Sequence, residues 1–107
     1  MSEEVVVKKV DGDGLEAAIK GDKLLVCDFF ATWCGPCKML SPKLDAMAKE
    51  NANVVFVKVD VDECQDVAEK YRVTAMPTLV VFKNGNEVGR VVGANEASIR
   101  ELIQANA

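Results

Sequence analysis

Apolar and polar positions alternate along this chain in short runs whose periods switch between two and about four. Val5 to Lys8 reads as a short strand, and Leu15, Ala18 and Ile19, with Glu16 and Lys20 outside, recur at helical spacing up to Gly21. Leu24 to Ala31 (LLVCDFFA) is nearly continuous in apolar character, as expected of a central strand covered on both faces. A helix is predicted from Cys34 to Ala48, with Leu40, Leu44 and Met47 in one stripe and Lys43, Asp45, Lys49 and Glu50 elsewhere. Pro42 is expected to kink it, because a helical hydrogen bond is lost there. Val54 to Val59 (VVFVKV) reads as another strand, and Val67, Ala68 and Tyr71 as a short helix. Strands from Thr78 to Phe82 and from Glu87 to Val92 flank Asn84-Gly85, a strong hairpin signal. Asn95 is placed to cap a last helix carrying Ile99, Leu102 and Ile103 on one face. The order βαβαβαββα predicts an α/β fold whose mixed sheet has helices on both faces. No linker, repeat or low-complexity segment interrupts it.

The chain has 107 residues, half of them hydrophobic, which suits one domain spanning 1–107 that folds without a staple. Glu3, Glu4, Lys8 and Lys9 surround only three consecutive valines, so the N-terminus lacks the apolar stretch of a signal peptide. No run approaches membrane-spanning length. The expected compartment is the reducing cytosol, where cysteine pairs serve catalysis or metal binding more than stapling. Seventeen acidic against thirteen basic residues, net −4 and without a basic cluster, argue against a nucleic-acid partner.

The chemistry concentrates at Cys34 and Cys37, separated by Gly35 and Pro36 and preceded by Trp33. Residues three apart on a helix face the same way, about 5 to 6 Å apart at Cβ, so one turn can hold the pair as thiols or as a disulfide. Cys34 falls at a strand-to-helix junction, where orphan backbone N–H groups and the helix dipole favour an anion. A thiolate there is stabilised relative to a free thiol, whose pKa is about 8.5, and the thiolate is the attacking species in disulfide exchange. Cys34 is therefore the expected nucleophile. Cys37, one turn inside and facing protein, is the expected resolving thiol, and Pro36 stiffens the first turn while lacking the N–H that would be orphaned. A structural zinc site requires four Cys or His ligands, whereas the chain has no histidine and Cys27 and Cys64 stand alone. A stapling disulfide over so short a loop would remove little unfolded-state entropy.

FATWCGPCK at 30–38, MPT at 76–78 and VGA at 92–94, in this order, resemble the thioredoxin family over essentially the whole chain. VDVDECQDVA at 59–68 is similar to its cytosolic eukaryotic branch. The resemblance implies a thioredoxin fold of five strands and four helices, and a protein-disulfide reductase that carries electrons through Cys34 and Cys37 and supports redox homeostasis. It implies no bound cofactor and no metal, with electrons reaching the pair from NADPH through a separate flavin-containing thioredoxin reductase. Implied clients include peroxiredoxins, ribonucleotide reductase and methionine sulfoxide reductase. A monomer is implied, cytoplasmic and also nuclear, without membrane or nucleic-acid partners. Read unaided, Met76-Pro77 is expected to be trans. The family instead has a cis proline at the position of Pro77, facing the cysteine pair, which would offer the Met76 backbone to an extended client. Trp33, Met76, Gly93 and Ala94 would then form an apolar docking surface around Cys34. Plain core packing is the competing reading of Trp33 and Met76.

Asp28 interrupts the apolar strand, and a buried aspartate is normally paired or functional. Burial raises its proton affinity, and an acid near neutral pKa could accept the proton of Cys37, the role of the matching aspartate in thioredoxins. The alternative is a satisfied structural polar group. Lys58 is the expected charged neighbour of Asp28, with a snorkelling surface lysine as the alternative. Cys27 reads as a small hydrophobe inside its strand. Cys64 reads as core packing on the apolar face of the short helix, or as a secondary redox or modification site that the family resemblance encourages. Tyr71 and Ala75 stand where some animal thioredoxins carry further cysteines, so regulation through those thiols does not transfer. Two competing functions are a binding module that docks partners constitutively, and an oxidant or isomerase, whose pairs usually enclose a histidine.

Overall fold

A computed structural model describes residues 7–107. The order is β1 (Lys8–Lys9), α1 (Gly12–Ile19), β2 (Leu24–Phe30), α2 (Gly35–Glu50), β3 (Val54–Asp60), α3 (Gln65–Lys70), β4 (Thr78–Lys83), β5 (Asn86–Val92) and α4 (Glu96–Asn106). The five strands form one sheet in the order β1-β3-β2-β4-β5, parallel across β1, β3 and β2 and antiparallel across β2, β4 and β5. The element order matches the reading of the sequence. Val5 and Val6, expected in the first strand, lie outside the described residues.

The period of two in β2 divides the interior into two cores. Leu25, Cys27 and Phe29 point to one face and pack with Leu15 and Ile19 of α1 and Ala68 of α3. Leu24 and Val26 point to the other, against Leu40, Leu44 and Met47 of α2 and Ile99 and Ile103 of α4. Being covered on both faces explains why β2 reads as an unbroken apolar run. Asp28 belongs to the alternation of Leu24 and Val26, so it projects toward α2.

Local chemistry sets the boundaries. Asp11 caps α1 by accepting from the Gly14 N–H at 2.9 Å, and Asn95 caps α4 by accepting from the Ser98 N–H at 3.0 Å. Asn84 and Gly85 have φ of 54° and 84°, the left-handed pair that closes a tight hairpin whose twist suits the sheet. A register shift at Val81/Phe82 leaves a bulge where β4 meets β5. Glycine at 89 lets β5 approach α4: a Cβ there would lie 2.7 Å from Leu102 Cδ1. Helix α2 runs through Pro42 as one element, longer than expected at its C-terminal end. Helix α3 is only Gln65–Lys70 with Cys64 as its N-cap residue, and Cys64 packs on the core beside Val67 and Tyr71.

Ile99 is fully buried between α4 and the sheet. Ile99→Ala is expected to cost about 2–5 kcal/mol by opening a cavity. A lowered urea midpoint with disulfide reduction intact in the still-folded protein is the expected result.

Candidate functional site

The chain leaves β2 at Phe30 and turns through Ala31, whose carbonyl accepts the Cys34 N–H at 3.2 Å. Cys34 thereby takes the N-cap position of α2, with extended backbone at φ −87° and ψ 110°. Its Sγ accepts the Cys37 backbone N–H at 3.1 Å, in the role that a serine or aspartate oxygen fills at ordinary helix starts. Pro36 lies in the first turn, where its missing N–H leaves nothing unsatisfied, and Gly35 is exposed beside it. Cys34 and Cys37 are joined as a disulfide, with a Cα separation of 5.3 Å. Their exposure does not distinguish them, at 4% and 5%. What differs is what each sulfur faces. Cys34 Sγ lies 3.6 Å from the Met76 carbonyl oxygen at the protein's rim. Cys37 lines a cleft of about 250 Å³ behind the pair.

That cleft is walled by Asp28, Phe30, Ala31, Thr32, Lys38, Ser41 and Lys58 as well as Cys37. Asp28 is 4% exposed, and its Oδ1 is buried without a hydrogen-bond partner. Burial pushes its carboxyl from 3.8 up to about 7, and the Lys58 ammonium opposes part of that rise. Lys58 stands opposite Asp28 in the β2–β3 register, so neighbouring strands place the two on one side of the sheet. Lys58 Nζ lies 5.5 Å from the centroid of the Phe30 ring.

Around Cys34 the rim is formed by loops from three parts of the chain. The Met76–Pro77 peptide bond is cis, contrary to the expectation from local sequence. The Pro77 carbonyl accepts the Gly93 N–H at 2.8 Å, which ties the β5–α4 turn to this loop. Gly93 has φ of 102°, a conformation that suits glycine, and Ala94 beside it is exposed. Met76 is half-buried and packs on the core, as its packing alternative had it, while Trp33 is 67% exposed and does not. The Trp33 indole N–H donates to Asp62 Oδ2 at 2.8 Å. Asp62 is in turn held by the loop after β3, where Asp60 Oδ1 accepts the Asp62 N–H at 2.9 Å.

Sequence reasoning missed Asp62 and Phe30. Asp60-Val61-Asp62 carries the signature of an aspartate turn, which could have located the loop but not its reach to Trp33. The remaining cysteines stay free. Cys27 is buried in β2, where burial and the adjacent Asp28 hold its thiol well above its ordinary pKa. Cys64 is half-buried, and its thiol is pushed up by burial and then by Asp11 and Glu63, against the pull of the Gly12 N–H. Among the described residues no group of three or more His, Cys, Asp or Glu is placed to hold a metal ion. No helix among them is long and apolar enough to cross a membrane.

Comparison with known proteins gives the same picture. The thioredoxin family model matches residues 4–105. The chain is 86% identical over 107 residues to thioredoxin of Echinococcus granulosus, with all of both chains covered. It is 48% identical over 107 residues to thioredoxin of Homo sapiens, covering 96% of this chain and 100% of that one. Its backbone matches the X-ray structure of Fasciola hepatica thioredoxin with a TM-score of 0.90 at 47% identity, covering 94% of this chain and 100% of that chain. Together with the Cys34–Cys37 disulfide, these matches establish that the chain belongs to the thioredoxin family and is a thiol–disulfide oxidoreductase that reduces protein disulfides.

Proposed function

We propose that Cys34 attacks client disulfides, that Cys37 resolves the resulting mixed disulfide, and that Asp28 takes the Cys37 proton. In the dithiol form, the Cys34 thiolate displaces one client sulfur, which leaves as a thiolate and is protonated. Cys37 then gives its proton to Asp28 and its thiolate attacks Cys34 Sγ. The second client sulfur leaves as a thiolate and takes up a proton, and two electrons have passed from the pair to the client. The observation that carries the assignment is the 3.1 Å approach of the Cys37 N–H to Cys34 Sγ, which would stabilise a thiolate at Cys34 and nowhere else in the pair.

An extended client segment lies along the Met76 backbone in this reading, with Trp33, Pro77, Gly93 and Ala94 around the attacked sulfur. The exposed indole, fixed by Asp62, supports it. Lys58 serves Asp28 by charge alone. Re-reduction comes from a flavin-containing thioredoxin reductase drawing on NADPH, and peroxiredoxins, ribonucleotide reductase and methionine sulfoxide reductase are the proposed clients. The protein acts as a cytoplasmic and nuclear monomer, as a single domain over 1–107. The upward pull on the Cys64 thiol disfavours its thiolate, so Cys64 is assigned packing rather than regulation.

Three outcomes test this. With insulin as substrate, Cys34→Ser abolishes turnover and Cys37→Ser accumulates a mixed disulfide seen by mass spectrometry; trapping by Cys34→Ser would reverse the roles. Asp28→Asn slows resolution of the mixed disulfide by on the order of 10- to 100-fold at neutral pH, read by stopped flow. An unchanged rate removes Asp28 from the mechanism.

Asp28 also makes stability depend on pH. Its folded pKa of about 7 exceeds the ordinary 3.8, so the folded chain binds a proton that the unfolded chain releases. The resulting stabilisation is complete below about pH 4 and is lost as pH rises through 7. Relative to Asp28→Asn, the oxidised parent is expected to lose up to about 4 kcal/mol between pH 4 and 8 in urea unfolding. Parallel pH profiles would contradict the buried acid.

A further inference from the structure

Phe30 ends β2 two residues beyond Asp28, so the alternation of the strand sends both side chains to the side of the sheet that α2 covers. Both line the same cleft, and so does Lys58 from β3. Lys58 is paired with Asp28 in register, but its ammonium lies toward the end of the strand, 5.5 Å from the centroid of the Phe30 ring. Asp28 Oδ1, meanwhile, has no hydrogen-bond partner. Lys58 therefore reaches the carboxyl through space.

We infer that Phe30 is a positioning residue: the face of its ring holds the Lys58 ammonium beside Asp28, fixing the charge Asp28 feels while leaving its oxygen open to the Cys37 proton. The inference rests on Asp28 being the proton acceptor and adds the residue that tunes it. A lysine on a strand samples many rotamers, and a ring face beneath the ammonium raises the population of those over it by about two- to fivefold. That is enough to matter here because two opposing influences meet at Asp28, burial raising its proton affinity and Lys58 lowering it. Burial without Lys58 would hold the carboxyl further toward its protonated form and leave it less able to take the Cys37 proton. The other groups around the carboxyl do not substitute for Lys58. From α2 the cleft receives Cys37, Ser41 and Lys38, the last exposed, and β4 presents Leu79 opposite Asp28. Within β2 the neighbour is Cys27, whose thiol burial keeps protonated.

The test follows the Asp28 carboxyl directly by carbon-13 NMR titration of the reduced protein. Phe30→Leu is expected to raise the Asp28 midpoint by about half a pH unit as the ammonium is released into solvent. Phe30→Tyr, which keeps the ring face, is expected to leave it in place. In a Lys58→Met background the midpoint is higher from the start, and Phe30→Leu adds nothing further. The alkaline shift should also appear in the pH profile of mixed-disulfide resolution. An equal shift from Phe30→Leu in both backgrounds would mean that the ring acts by burial alone and would overturn the proposal, as would no shift or a downward one. Phe30→Met carries the same test should Phe30→Leu fail to fold. Failure of the Asp28 assignment reads differently: Asp28→Asn would resolve mixed disulfides at the parent rate, whatever the Phe30 variants do to the titration.

Discussion

A sulfur occupies the cap of a helix, and the rest of the site is arranged around that substitution. Ordinary helix starts place a hydroxyl or carboxylate oxygen where the first free N–H groups converge; α2 places Cys34 there, with the Cys37 N–H 3.1 Å from its Sγ. The hydrogen bond belongs to the fold, because forming α2 points the N–H in that direction whether or not a client is present. Positioning it at the moment of reaction requires no rearrangement, which is the condition for electrostatic stabilisation in a developing charge. The same turn that supplies the donor also carries the second sulfur, so one piece of backbone holds both members of the pair.

The sheet supplies the other half of the site. Strand β2 is covered on both sides, and its alternation delivers apolar groups to both cores except at Asp28. A carboxyl at that position sits against α2 near Cys37, in a cleft with few polar partners, and its raised proton affinity is the direct result of that burial. Folding tolerates it because the group can be neutral. In the proposed mechanism it serves because it can also be charged. Lys58, one strand away and in register, pulls against the effect of burial.

Much of this was legible in the sequence because it depends on local spacing. The period of two in LLVCDFF, the stripe of Leu40, Leu44 and Met47, and the Asn84-Gly85 turn each express a geometry that neighbouring residues determine. The cysteine pair was legible for the same reason. What escaped depends on contacts between distant segments. Met76-Pro77 carries no local signal for its cis bond, and only the family resemblance suggested it. Trp33 finds Asp62 across 29 residues. Phe30 looked like one more apolar residue of a buried strand, since nothing in a period of two says that a lysine from the next strand will lie over its ring. The helical spacing of Cys64 to Val67, Ala68 and Tyr71 gives its packing on the core but not the helix start, which falls at Gln65 and leaves Cys64 at the cap.

The outermost strand brings a different matter into view. Among the described residues strand β5 pairs with β4 alone and forms an edge of the sheet, with Val88 40% and Val92 61% exposed. Such a margin invites a neighbouring molecule to add its own strand and begin a ribbon. The bulge at Val81/Phe82 interrupts the regular ladder, and the Glu87–Arg90 ion pair at 2.8 Å sets charge along the same stretch. Growth of the sheet from one molecule into the next is thereby discouraged.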